Sequence, residues 1–218
     1  MAHRCRCRVL ANKILLTRAS HSKRLAAILV ALGCVFPALI LGGCSEYDQA
    51  RRIYVQGRYD DAFGRMLKMA QAGDNRAQYD VAMMYVQGIG TTKELELGFG
   101  WMIEAAKSGN IGAMNELGAI YESGVGAQRN LPVAFQWYRL AARADDSIGQ
   151  FNVANMYARG IGVPADIVKA WAYYRRAASN GVLTGRERAA LLGEKMSAAQ
   201  LAEAEALEDR LRKDPAQD

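Results

Sequence analysis

Every cysteine and histidine of the 218-residue chain lies in its first 44 residues: Cys5, Cys7, Cys34 and Cys44, with His3 and His21. From residue 45 onward there is neither thiol nor imidazole. Ser-His and Cys-His nucleophilic catalysis, and zinc sites built on those side chains, are therefore excluded from that part. No Gly-x-Ser-x-Gly elbow occurs, and the one Ser-x-x-Lys, Ser20–Lys23, falls in the same first segment. Carboxylates remain. Asp60-Asp61 opens a helical stretch, where the helix dipole accounts for it, and Asp145-Asp146 falls in a turn. Adjacent residues do not face one substrate, so a two-carboxylate hydrolase is not expected. Gly88-x-Gly90 and its two copies lack the third glycine of a dinucleotide fingerprint and follow helices instead of strands. Cys5-x-Cys7 has one residue of spacing and no further ligands. No cofactor, metal or small-molecule substrate is expected.

Cys44 stands apart because of what precedes it. Lys23 and Arg24 lead into an uncharged apolar run over residues 25–41, which ends in Leu41-Gly42-Gly43-Cys44. Positive flank, apolar run and small residues follow one another in the order of a secretory signal. The last four residues resemble the lipobox of bacterial lipoproteins. That resemblance implies a diacylglycerol thioether on the Cys44 thiol, cleavage just before it and acylation of the new amino terminus. Small side chains at Gly42 and Gly43 leave the backbone open to the peptidase. Ser45 is similar to residues that permit transfer to the outer membrane, so the expected location is the bacterial envelope, lipid-anchored and facing the periplasm. The competing reading is an uncleaved membrane helix, against which stand the short run and Pro37 within it.

The charge balance divides at the same place. Residues 1–44 hold seven of the 28 cations and no carboxylate, leaving 21 cations against 22 carboxylates from residue 45 onward. A body with net charge −1 lacks the clustered basic face that nucleic acid requires.

That body repeats itself every 36 residues. Tyr85, Tyr121 and Tyr157 are in step, as are Gly88, Gly124 and Gly160, and Gly90, Gly126 and Gly162. Trp101, Trp137 and Tyr173 follow, then Ala105-Ala106, Ala141-Ala142 and Ala177-Ala178. Such a period marks stacked supersecondary units. Each unit reads as two helices. The first, near Asn75–Gln87, carries Ala77, Val81 and Tyr85 on one stripe and is stopped by glycine in the left-handed region. The second opens near Glu94, Asn130 or Asp166 and runs to the alanine pair, with Trp101, Trp137 or Tyr173 expected to pack between neighbouring helix pairs. Residues 46–73 form a degenerate first unit. Ser197-x-x-Gln200 is a capping box that opens a last helix with Leu201, Ala204, Leu207 and Leu211 on its apolar side. The expected organisation is a signal peptide over 1–43, a lipidated tether over 44–49, four helical repeats over 50–181 and C-terminal capping helices over 182–218.

Ala113-x-x-x-Leu117-Gly118-x-x-Tyr121-x-x-Gly124-Val125-Gly126, followed by Ala134-x-x-Trp137-Tyr138-x-x-Ala141-Ala142, resembles the Sel-one-like repeat (SLR) family of the tetratricopeptide superfamily. Gly98, where the pattern has alanine, and Thr91-Thr92 depart from it. The resemblance implies an all-α fold, an α/α superhelix of paired antiparallel helices whose first helices line a groove for protein partners. It places the chain as a non-enzymatic scaffold in an envelope, secretion or exopolysaccharide-export assembly. The alternative is an enzyme acting on cell-wall material or β-lactams, although the cysteine-rich members tied to β-lactams have a disulfide in each repeat, which this body cannot form. With Val81, Leu117 and Val153 taken as buried, the positions two residues away point elsewhere: Tyr79, Asn115 and Phe151 on one side, Met83, Ala119 and Asn155 on the other. Tyr79, Met83, Asn115, Phe151 and Asn155 are the candidate partner-binding residues. Packing of Tyr79 and Phe151 between units is the competing account.

Overall fold

A computed structural model describes residues 45–216, which fold into ten helices without a strand. Cys44 and the segment before it lie outside the described residues. In chain order the helices are α1 (Glu46–Val55), α2 (Tyr59–Gln71), α3 (Asn75–Gln87), α4 (Leu95–Lys107), α5 (Ile111–Ser123), α6 (Leu131–Arg143), α7 (Ser147–Arg159), α8 (Ile167–Ser179), α9 (Leu183–Gly193) and α10 (Ala198–Lys213). From α1 to α9 each packs on its successor, giving the α/α solenoid that the 36-residue period predicts. α10 breaks the succession by packing on α8, and Arg143 at the end of α6 donates to the Ala216 carbonyl.

The loop between paired helices shows why both glycines recur. Gly88, Gly124 and Gly160 close α3, α5 and α7 in the left-handed region, where an L side chain is strained. The second glycine answers to a neighbour. A Cβ on Gly90 would collide with the carbonyl of Tyr59 at the start of α2, and one on Gly162 with that of Leu131 at the start of α6. Those two loops thus rest on the backbone of the preceding unit, whereas at Gly126 a Cβ would meet only Ile120 Cγ2, 4.0 Å away. Each of the three loops is tied off by a bond from the residue that precedes the second helix to the tyrosine carbonyl: Glu94 to Tyr85 at 3.0 Å, Asn130 to Tyr121 at 2.8 Å and Asp166 to Tyr157 at 3.0 Å. Asn130 and Asp166 also cap their helices through their side chains, whereas Glu94 does not. Asp74, Asn110 and Asp146 cap the first helices.

Apolar packing runs on from unit to unit. Buried Met66, Ala77 and Val81 join α2 to α3; Ala105, Ala113 and Leu117 join α4 to α5. A larger cluster spans α6 to α10, with Ala204 and Leu211 of the last helix buried in it. Half-buried Trp101 touches the first two clusters, and Trp137 packs on the second from α6, between neighbouring helix pairs. At the unit boundaries a second aromatic series meets the first. Phe63 stands edge-on to Tyr85, Phe99 to Tyr121 and Phe135 to Tyr157, with ring centroids 5.2, 6.0 and 5.2 Å apart.

The turn between units carries glycine at Gly73, Gly109 and Gly181, and Asp145 in the third of the four. Asp145 is the only described non-glycine residue with positive φ, at 60°. Its carboxylate accepts from Arg176, Gln150 and Asn180, and Arg176 and Gln150 are themselves buried. Partial burial works against the charge, yet the bonds from Gln150 and Asn180 and the Arg176 guanidinium outweigh it and hold the carboxyl below its ordinary value. Asp145→Ala keeps the backbone strain and strips Arg176 of its partner. With Asp145 half exposed, the expected cost is about 2 kcal/mol, below the range for a fully buried pair. Asp145→Gly loses the same carboxylate bonds but relieves the strain, for a smaller cost of about 1 kcal/mol. Urea unfolding midpoints check the order; a glycine variant less stable than the alanine variant contradicts it.

Candidate protein-binding face

The first helices α3, α5 and α7 bury Val81, Leu117 and Val153 completely, which fixes the rotation of each helix. The residues on either side of that stripe then meet different surroundings from unit to unit. Tyr79 is half-buried against the α4–α5 cluster, beside Gly112, where a Cβ would lie 3.6 Å from its ring. Burial pushes its phenol up, helped by Glu116 and Asp80. Met83, one turn on, is also half-buried and packs on the same cluster. Together they line a cleft of about 240 Å³ between α1 and α3, with Arg51, Tyr54 and Met66 opposite.

Asp80 borders that cleft. Tyr47 of α1 donates to it at 2.8 Å and Arg51 approaches at 3.5 Å, while the Arg76 guanidinium lies 4.3 Å from the Tyr47 ring centre. Burial raises the Asp80 carboxyl above its ordinary value, against the opposing effects of Tyr47 and Arg51. The Tyr47 hydroxyl is pushed up to about 12, by burial first and then by its bond to Asp80. These groups clamp the degenerate first unit onto the second.

Asn115, Phe151 and Asn155 are engaged inside the solenoid. Asn115 donates to Asp146 at 2.8 Å, and Asp146 in turn caps α7 through the Gly149 amide at 2.7 Å. Phe151 meets the Tyr174 ring edge-on at 5.5 Å, and Asn155 accepts from the Tyr174 hydroxyl at 2.7 Å. Tyr174, on α8, is buried. Thus the structure brings Tyr79 and Met83 together in one cleft and gives the other three partners within the protein. Ala119, in phase with Met83 and Asn155, is exposed.

A second cleft, of about 390 Å³, opens between α3, α4 and α5. Met83 lines it too, with Val86, Phe99, Met102 and Ile120, and Lys93 and Glu116 are the charged groups among its walls. Of the flanking positions on the first helices only Met83 reaches this cleft, since Leu95, Gly98, Phe99 and Met102 of α4 form much of its wall. The sequence signal that marks it is the departure at Gly98. A Cβ there would lie 2.7 Å from Val86 Cγ2, so the glycine lets α3 and α4 approach closely.

The carboxylate pairs are accounted for structurally. Asp61 pairs with Arg58 ahead of α2, and Asp145 and Asp146 serve the unit boundary described above. Among the described residues no group of three histidine, cysteine, aspartate or glutamate side chains is placed to hold a metal, and no helix is long and apolar enough to cross a membrane.

The Sel1 repeat matches three consecutive segments, residues 75–110, 111–146 and 147–182, which are the pairs α3–α4, α5–α6 and α7–α8 with their turns. Solved structures share the fold. One is a protective antigen present in uropathogenic Escherichia coli strains displaying an SLR fold, 26% identical with a TM-score of 0.65 over 73% of this chain. Another is a Sel1 repeat protein from Oxalobacter formigenes, 27% identical with a TM-score of 0.62 over 66% of this chain. The matches span 36% and 59% of those two proteins. No curated protein matches the chain significantly.

Proposed function

We propose that this chain, built on three Sel1 repeats, is a lipid-anchored scaffold that holds a protein partner against its first helices on the periplasmic side of the bacterial envelope. The observation that carries the binding reading is the solenoid itself. It has two clefts lined by Met83 of α3, one shared with α1 and the other with α4 and α5, and Sel1-repeat solenoids serve as protein-interaction scaffolds. Fold alone does not name a partner. The anchor rests on the sequence: a basic flank, an apolar run and Leu41-Gly42-Gly43-Cys44 in register. The helix α1 begins at Glu46, two residues past Cys44, so a lipid on that cysteine would hold the repeats close to the membrane surface. An envelope protein, in a secretion or exopolysaccharide-export assembly, fits that position.

Two experiments address the two halves. Metabolic labelling with a fatty-acid analogue is expected to mark the wild-type chain and leave Cys44→Ala unlabelled and uncleaved; equal label on both contradicts the anchor. For the face, Met83→Arg combined with Ala119→Arg places two cations at half-buried and exposed positions without touching the Asn155–Tyr174 bond. Recovery of the partner after cross-linking in cells is expected to fall at least tenfold, while the circular dichroism melt stays within a few degrees. Undiminished recovery with an intact fold contradicts the face.

A further inference from the structure

Asn180-Gly181 is the one Asn-Gly step in the chain, and it follows α8 where the earlier inter-unit turns have Ala72, Ser108 and Ala144 in phase with the asparagine. Such a step carries its own chemistry. Glycine has no Cβ to keep its amide nitrogen away from the side chain before it. The Gly181 nitrogen gives up its proton and bonds to Cγ of Asn180. The Cγ–Nδ2 bond breaks, and Nδ2 leaves as ammonia with a proton from water. A second water opens the five-membered imide at either carbonyl, leaving an aspartyl or an isoaspartyl linkage with a new carboxylate. No reagent besides water is consumed.

The fold holds both reacting groups elsewhere. Nδ2 of Asn180 donates to the Asp145 carboxylate at 2.9 Å, to the Asp145 carbonyl at 3.2 Å and to Gln150 Oε1 at 3.2 Å. The Gly181 amide donates to the Ala178 carbonyl at 3.2 Å. Ring closure has to break these bonds, although Asn180 itself is exposed and open to water. This grip is particular to one boundary, because Asp145 stands where the other turns have glycine, with buried Gln150 and Arg176 bonded to it. The product reverses the contact. A carboxylate at position 180 has no hydrogen to donate, and it sets a second negative charge against Asp145. An isoaspartyl link also adds a main-chain carbon just before α9. Gly185 and Ala189 of α9 are buried in phase with Gly149 and Val153 of α7, so α9 continues the row of first helices.

We propose that Asn180 is a site of spontaneous deamidation, which the Asp145–Gln150–Arg176 network keeps closed and whose product breaks that network. Opening of the α8 terminus starts the reaction, and loss of ammonia makes it one-way. The consequence for α9, a loosened end of the first-helix face, rests on the scaffold reading; the chemistry at Asn180 does not.

The test holds the full chain in nanodiscs, in mildly alkaline buffer at physiological temperature, and digests it at acid pH. Liquid chromatography with mass spectrometry then resolves the asparaginyl, aspartyl and isoaspartyl forms of the fragment around position 180. A synthetic peptide, Arg-Ala-Ala-Ser-Asn-Gly-Val-Leu, gives the unprotected rate. Wild type is expected to convert at least tenfold more slowly than the peptide, yet faster at Asn180 than at Asn110, Asn130 or Asn152. Asp145→Gly is expected to raise the rate at least threefold. Val81→Ala, which weakens a buried position of α3 and leaves the network intact, is expected to stay within twofold of wild type. Should Asp145→Gly fail to fold by circular dichroism, Gln150→Met replaces it, with the same expected rise. Asn180→Asp is expected to unfold at lower urea than Asn180→Ala, since only the former adds the repelling charge. Conversion of wild type at the peptide rate overturns the proposal, as does an equal rate in wild type and the network variant. An equal rise with Val81→Ala overturns it too, by assigning the protection to folding as a whole. Absence of conversion in every folded form removes the site. Asn180→Asp as stable as Asn180→Ala removes the effect of the product. All these readings are made without a partner, so their failure leaves the scaffold reading standing.

Discussion

The solenoid depends on the edge-to-face contact between a phenylalanine of one unit's second helix and a tyrosine of the next unit's first helix. Phe63–Tyr85, Phe99–Tyr121 and Phe135–Tyr157 recur at the period of the sequence. A two-helix unit cannot bury its apolar stripe alone, and its neighbours are the only surface available. The tyrosine is held twice, since its ring meets the preceding unit while its carbonyl accepts the bond that closes its own loop. In two of the three loops the second glycine acts in the same place, letting Gly90 and Gly162 rest on the backbone of Tyr59 and Leu131. Ring contact, loop closure and backbone approach therefore specify one spacing between units.

With the boundaries so specified, positions within a unit are free to differ, and the second unit uses that freedom. Gly98, Met102 and Val86 depart from their copies, yet α4 still forms from Leu95 to Lys107 and its alanine pair is still buried. The outcome is the cleft lined by Met83, Val86 and Met102. The third unit departs elsewhere. Asp145 replaces glycine in the turn, and Arg176, Gln150 and Asn180 hold it in the left-handed region. One departure makes space and the other fills it with a polar network.

The features legible in the sequence are those governed by sterics at a single residue. A glycine that ends a helix, an alanine pair where helices touch and a Ser–Gln capping box read out directly, and the structure places Gly88, Ala105 and Ser197 in those roles. The Phe63, Phe99 and Phe135 series obeys the same period but escapes notice, because a phenylalanine in an apolar helix face looks like any other core residue. The proposed binding face is less legible for a different reason. Two residues from a buried position, a side chain meets whatever the neighbouring helix offers. Tyr79 and Met83 meet a cleft, whereas Asn115 meets Asp146, and Phe151 and Asn155 meet Tyr174. A helical wheel of one helix contains none of those neighbours.

The most direct test is a double-mutant cycle on Phe135 and Tyr157 in the full chain, with Leu at each position singly and together, followed by urea unfolding. If the pair sets the contact between units, the two substitutions couple by about 1 kcal/mol, the worth of an aromatic pair beyond its buried area. Far-ultraviolet circular dichroism and tryptophan fluorescence should then report a single coincident transition in the wild type, as units that fold together require. A coupling indistinguishable from zero, with both single variants as stable as wild type, would contradict the account and locate the bond between units elsewhere.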